Sequence, residues 1–97
     1  MSQFMPVDKV HETDLLIAFR HPRPQHKTHI LIVPKRAIGS FLDLAEADTQ
    51  LLADIMRTAQ HLIQTSGLDE TACRLITNMG DYQEVKQLHF HLVSDDS

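Results

Sequence analysis

The chain has 97 residues, of which 42% are hydrophobic and 23% charged. That profile fits one modest globular core, a single domain over residues 1–97, and argues against a disordered polymer. Nine Lys and Arg against thirteen Asp and Glu give a formal net charge of -4, which leaves no support for a generic DNA- or RNA-binding face. No apolar run approaches the ~18–20 residues needed to span a membrane. Met1 to Asp8 lacks the basic and apolar stretches of a signal peptide, so a cytoplasmic protein with no membrane partner is expected. The lone cysteine, Cys73, permits neither an internal disulfide nor a Cys-rich zinc site, and a buried, inert thiol is expected there.

In chain order, Asp14 to Phe19 (DLLIAF) reads as a first strand. Arg20 to Lys27 contains two prolines and reads as a loop. Thr28 to Val33 (THILIV) is β-branched and apolar, a second strand ended by Pro34. From Asp43 to Thr65, apolar residues recur at steps of three and four (Leu44, Ala47, Leu51, Leu52, Ile55, Ala59, Leu62, Ile63), predicting one amphipathic helix. Asp43 or Asp48 is placed to cap it, and Gly67 to end it in a left-handed turn. Cys73 to Met79 predicts a third strand, Asn78, Gly80 and Asp81 a turn, and Gln87 to Val93 (QLHFHLV) a fourth strand. The expected fold class is α+β, a mainly antiparallel sheet with one long helix packed on it.

The chemistry concentrates in Gln87 to Val93. Side chains alternate along a strand, so Gln87, His89 and His91 share one face while Leu88, Phe90 and Leu92 face a core. Two imidazoles ~7 Å apart along a strand can both reach one phosphate-sized group. One can attack phosphorus and the other can move a proton. The same spacing also suits a half-exposed pair of no function, or a metal bound by imidazole. His11, His26 and His61 read as solvated surface residues, Met56 and Met79 as core filler, and Asp95-Asp96-Ser97 as a solvated tail.

Taken together, these segments resemble the histidine-triad (HIT) family. Gln87 to Val93 is similar to the family's His-x-His-x-His signature with Gln87 at the first histidine. His29 to Ile38 (HILIVPKRAI) resembles its His-hydrophobic-Pro-Lys-basic segment. Leu75 to Gly80 (LITNMG) resembles the strand ending in Asn-x-Gly. The resemblance runs from about Val10 to Val93 with the pieces in the same order. It implies a two-fold homodimer and the hydrolysis or transfer of nucleotidyl groups, with a small-molecule nucleotide as partner and no cofactor or structural zinc. It implies that His89 is the nucleophile forming a nucleotidyl-histidine intermediate, that His91 contacts the phosphate and leaving group, and that His29 lies beside them. Asn78 corresponds to a ribose or phosphate contact and Gln83 to a phosphate-contacting glutamine.

The sequence also departs from the family pattern. Gln87 can orient a neighbour but cannot carry a proton charge. His21 stands where many members hold the ribose hydroxyls with an acidic residue. Asp81 to Lys86 replaces a Gly-rich turn, and Glu84 stands where a serine or threonine is expected near the phosphate. Alternative readings are a degenerate module that binds a nucleotide or anion without chemistry, and a metal-dependent protein using His29, His89 and His91 as ligands.

Overall fold

The computed structural model describes residues 8–68 and 70–95. Five strands form one antiparallel sheet: β1 Lys9–Glu12, β2 Leu16–Arg20, β3 Thr28–Pro34, β4 Arg74–Ile76 and β5 Phe90–Ser94. Their spatial order is β1-β2-β3-β5-β4. One long helix, α1 Thr49–Thr65, follows β3 in the chain. This is the α+β architecture expected, with one more strand than the apolar runs suggested.

β1 escaped the sequence reading because KVHE is a short, polar edge strand from which Val10 alone packs against the core as an apolar residue. β2 begins at Leu16, two residues later than expected. Thr13 Oγ1 accepts from the backbone N–H of both Leu15 and Leu16 at 3.1 Å, which makes Asp14 and Leu15 part of the turn. β4 is three residues long, where seven were expected. Beyond Ile76 the Thr77 hydroxyl donates to the His89 carbonyl at 2.9 Å, so a side chain takes over from the ladder.

The helix also starts later than its periodicity predicts. Residues 41–43 and 46–48 form two separate 3₁₀ turns. The Asp43 carboxylate accepts from Ser40 N at 3.0 Å, and the Asp48 carboxylate from Ala45 N at 2.9 Å. Each aspartate therefore closes its own turn, and neither caps α1 through its side chain. Such local side-chain bonds compete with helix formation, which is why apolar spacing alone overran the boundary. At the other end Gly67 has φ +74°, the left-handed conformation expected after the helix.

The two sheet faces are built differently. Leu16, Ala18, Ile30, Ile32, Phe90 and Leu92 point to the face covered by α1, where Leu51, Ile55, Ala59 and Leu62 complete the core, joined by Leu88. The alternate residues Phe19, Leu31 and Val33 form a second, smaller cluster on the opposite face. Across β3 and β5, Leu31 pairs with His91 and His29 with Val93, so the histidines share this second face.

Three expectations about individual side chains do not hold. Cys73 is half-buried. Met56 and Met79 are exposed, because both lie off the buried stripes. His26 is half-buried, its Nδ1 2.9 Å from the carboxylate of Asp95, which is itself exposed; Asp96 and Ser97 lie outside the described residues. Among the described residues, no helix is long and apolar enough to cross a membrane.

Candidate active site

Central strand β3 presents His29, and neighbouring β5 presents His91. Their rings meet with His29 Nε2 and His91 Nδ1 2.9 Å apart. His89 precedes β5 by one residue, and its ring packs edge-on against His91 with centroids 4.9 Å apart. From the loop after β2, His21 lies over His29, centroids 4.4 Å apart. Four imidazoles from three chain segments thus wall one cavity of about 220 Å³, completed by Asn78, Gln25, Leu31, Tyr82, Glu84 and Val85. A smaller cavity of about 180 Å³, reaching Ile76 and Val93, shares His29 and His91 as its wall.

Backbone partners assign the ring protons. A carbonyl can only accept, and Gln87 O lies 2.7 Å from His89 Nδ1. His89 Nδ1 therefore carries hydrogen, and the neutral ring has its lone pair on Nε2. A backbone N–H can only donate, and Gln25 N–H donates to His29 Nδ1 at 3.2 Å. Neutral His29 thus holds its proton on Nε2 and donates it to His91 Nδ1, which leaves the His91 proton on Nε2. By the same argument Arg23 N–H, donating to His21 Nδ1 at 2.9 Å, puts the His21 proton on Nε2. The His89 ring, with its neutral-form lone pair on Nε2, and neighbouring imidazole N–H groups stand in the wall of one cavity.

Burial sets the protonation of the cluster. It lowers the His29 pKa to about 4, helped by the like charges that His21, His91 and His26 would carry. His91 is lowered to about 4 by burial and then by His89, His21 and His26. His21 is lowered by burial and by His89. At neutral pH, His21, His29 and His91 are uncharged donors and acceptors.

Two predicted site residues stand apart from this cavity. Gln87 is buried, and its amide points to the segment after β3. It donates to Pro34 O at 3.3 Å and Arg36 O at 3.0 Å and accepts from Ile38 N–H at 3.3 Å. Because β5 begins at Phe90, strand alternation does not hold Gln87 on the histidine face. Gln83 is likewise buried, donating to Gly39 O at 2.7 Å. Both amides tie the 34–39 segment to the residues just before β5.

Other lining residues went unnoticed in the sequence. Leu31 was accessible to strand alternation, two residues from His29. Gln25, Tyr82 and Val85 depend on how two loops close over the sheet, which periodicity does not report. His26 lies edge-on to His29, centroids 5.3 Å apart; its tie to Asp95 has no local sequence signal.

A metal reading of these histidines meets a geometric obstacle. His29 Nε2 and His91 Nδ1 bond each other at 2.9 Å, whereas an ion between them would need ~2.0–2.1 Å to each nitrogen along divergent directions. Among the described residues no group of three or more His, Cys, Asp or Glu is arranged to hold a metal ion.

Fold and site together define an α+β protein with an imidazole-walled cleft on the sheet face opposite its helix. The chain belongs to the HIT domain family, whose profile matches residues 3–97. It is 36% identical over 91 residues to the purine nucleoside phosphoramidase of Escherichia coli strain K12, spanning 92% of this chain and 76% of that protein. The HIT family hydrolase from Legionella pneumophila Philadelphia 1 superposes with a TM-score of 0.87 at 39% identity, over 96% of this chain and 85% of that one. A histidine triad protein from Clostridium difficile gives a TM-score of 0.86 at 33% identity, over 96% and 83%.

Proposed function

We propose that this protein is a hydrolase or transferase of nucleoside 5'-phosphoramidates or related nucleotidyl compounds, acting through a nucleotidyl-His89 intermediate. The observation that carries this reading is the orientation of His89. Its Nδ1–H is anchored on Gln87 O, and the lone pair lies on Nε2 of a ring in the cavity wall. The likeness to a purine nucleoside phosphoramidase supports the substrate class.

In the first step, Nε2 of His89 attacks phosphorus and the bond from phosphorus to the leaving nitrogen breaks. His91 supplies the proton that the departing amine takes. An anionic phosphoryl group against His91 offsets the burial that keeps this ring neutral, so the imidazolium forms with substrate bound: a proton taken up at His29 Nδ1, in place of the Gln25 N–H contact, lets the His29 Nε2 proton pass to His91 Nδ1. In the second step, water attacks phosphorus and gives a proton to His91, and the nucleoside monophosphate leaves with His89 regenerated. His29 positions His91 through their shared hydrogen bond. Asn78 and His21 offer hydrogen bonds to ribose or phosphate. Gln87 takes the place of the first triad histidine and, with Gln83, holds the 34–39 segment in position. We also read the chain as a two-fold homodimer of the cytoplasm, which sedimentation and fractionation would check.

Single-turnover hydrolysis of an adenosine 5'-phosphoramidate tests the chemistry. Turnover is expected with the natural protein, none with a folded His89→Ala variant, and about 10²–10⁴-fold less with His91→Ala. Unchanged turnover in His89→Ala would refute the assignment. Glu84 in the cavity wall and a Gln87 amide committed to the 34–38 backbone rather than to the cavity favour a second reading, a nucleotide- or anion-binding module without chemistry. Saturable binding without turnover, unaffected by His89→Ala, would establish that alternative.

A further inference from the structure

The cavity that would receive a phosphoryl group has one acidic residue, Glu84, and no Lys or Arg among the residues that line it. Glu84 is itself exposed, at the rim where the cavity meets solvent. The nearest cation along the chain, Lys86, directs its ammonium to Gly80 O at 3.1 Å and to Gln83 O. Arg36, in the segment tied to Gln87, is bound to Asp48. Among the described residues no cation pairs with Glu84.

Resting on the phosphoramidate reading above, we infer that Glu84 is a specificity-determining residue that makes this cavity a charge filter. It favours a nucleotidyl substrate whose leaving group bears a protonated amine. It disfavours one whose leaving group is itself a phosphate, and it hastens release of the doubly charged nucleoside monophosphate product. The physical basis is distance. A cavity of about 220 Å³ is roughly 7 Å across if taken as a sphere, so any charge held inside lies close to Glu84. His21, His29 and His91, uncharged without ligand, neutralise little of the carboxylate's field. A bound monoanion can draw a proton onto His91 and be compensated once. A second negative charge meets Glu84 uncompensated, whereas an ammonium beyond the phosphorus is attracted to it. Each unit of charge should therefore change affinity by about five- to tenfold at low ionic strength, and less as salt screens it.

The test measures binding by calorimetry in the His89→Ala background, which removes turnover, with and without Glu84→Gln. The probes are adenosine 5'-phosphoramidates of 1,3-diaminopropane and of propylamine, and adenosine 5'-monophosphate. With Glu84 present, affinity should fall in that order, about five- to tenfold per step, and the spread should narrow at higher ionic strength. With Glu84→Gln the spread should collapse to within about twofold, a change that a purely steric role would not make salt-dependent. The same ratios are read as kcat/KM for the two phosphoramidates in the natural protein and in Glu84→Gln. An order indifferent to Glu84, with turnover intact, overturns the filter and leaves the chemistry standing. The expected order with no turnover by the natural protein sustains the filter and overturns the chemistry. Failure of all three probes to bind, together with no turnover, overturns both.

Discussion

The same three central strands serve two faces that solve different problems. Toward α1, β2, β3 and β5 present Leu16, Ala18, Ile30, Ile32, Phe90 and Leu92, an apolar layer closed by one helix stripe. Toward the other side, alternate residues of those strands present Phe19, Leu31 and Val33 beside His29 and His91. The first face derives stability from dry packing. The second derives its order from specific hydrogen bonds: a backbone N–H on His29, His29 on His91, and a carbonyl on His89. Adjacent residues of β5 thus have separable roles, one in the core and the next in the cleft.

The sharpest way to break this contrast is to cut neighbouring residues. Leu92→Ala, on a side chain with 0% exposure, should cost about 3 kcal/mol by urea denaturation. His91→Ala should cost under about 1.5 kcal/mol, because a half-buried ring leaves less of a void. Its effect on turnover should be the larger one. Equal stability losses would show that the histidine face is as much a core as the helix face.

Gln87 tests the boundary between the faces. Gln87→Leu leaves Pro34 O, Arg36 O and Ile38 N without their amide partner, and should lower stability by about 2–3 kcal/mol. Gln87→His restores at most two of those three bonds and should cost about 1–2 kcal/mol. Denaturation of both variants beside the natural protein checks the order. A neutral Gln87→Leu would mean that the 34–38 segment is held by other contacts.

A pH series sharpens the comparison next. His29 and His91 are depressed to about 4 in the fold, while an unfolded histidine titrates near ~6.5. Between those values the unfolded chain binds protons that the folded chain does not. Stability is therefore fully present above about 6.5 and declines as pH falls toward about 4. The loss should be roughly 2 kcal/mol after allowing for partial solvent access. It should flatten in His29→Asn, and an unchanged slope would remove His29 from the account. At the small end, Tyr82 is 84% exposed, and Tyr82→Ala should change stability by under about 0.5 kcal/mol. Its ligand affinity should nonetheless fall, since Tyr82 lines the cleft.

The sequence made the layout of these faces readable wherever one period held. Leu88, Phe90 and Leu92 against His89 and His91 followed from strand alternation, and the helix stripe through Leu51, Ile55, Ala59 and Leu62 from a 3.6 period. Legibility stopped where local polar bonds or distant loops decide. Ser40, Asp43 and Asp48 broke the start of the predicted helix into turns. The destination of the Gln87 amide depended on where residues 34–38 return, information that lies about fifty positions away. Grouping Gln87 with His89 on one face assumed a strand that in fact begins at Phe90.

The hydrogen bond between His29 and His91 closes a span of 62 positions along the chain. Long loops of this kind must close before their contacts reward them, so pairing of β3 with β5 belongs to the slow, late part of folding. The two rings cannot meet in a nascent chain that lacks β5, nor in a partly unfolded one that has released it. A ligand that needs both rings therefore binds the completed fold and stabilises it by mass action. Recovery of ligand binding during refolding should lag behind formation of α1, and the cleft would report the last native pairing to form.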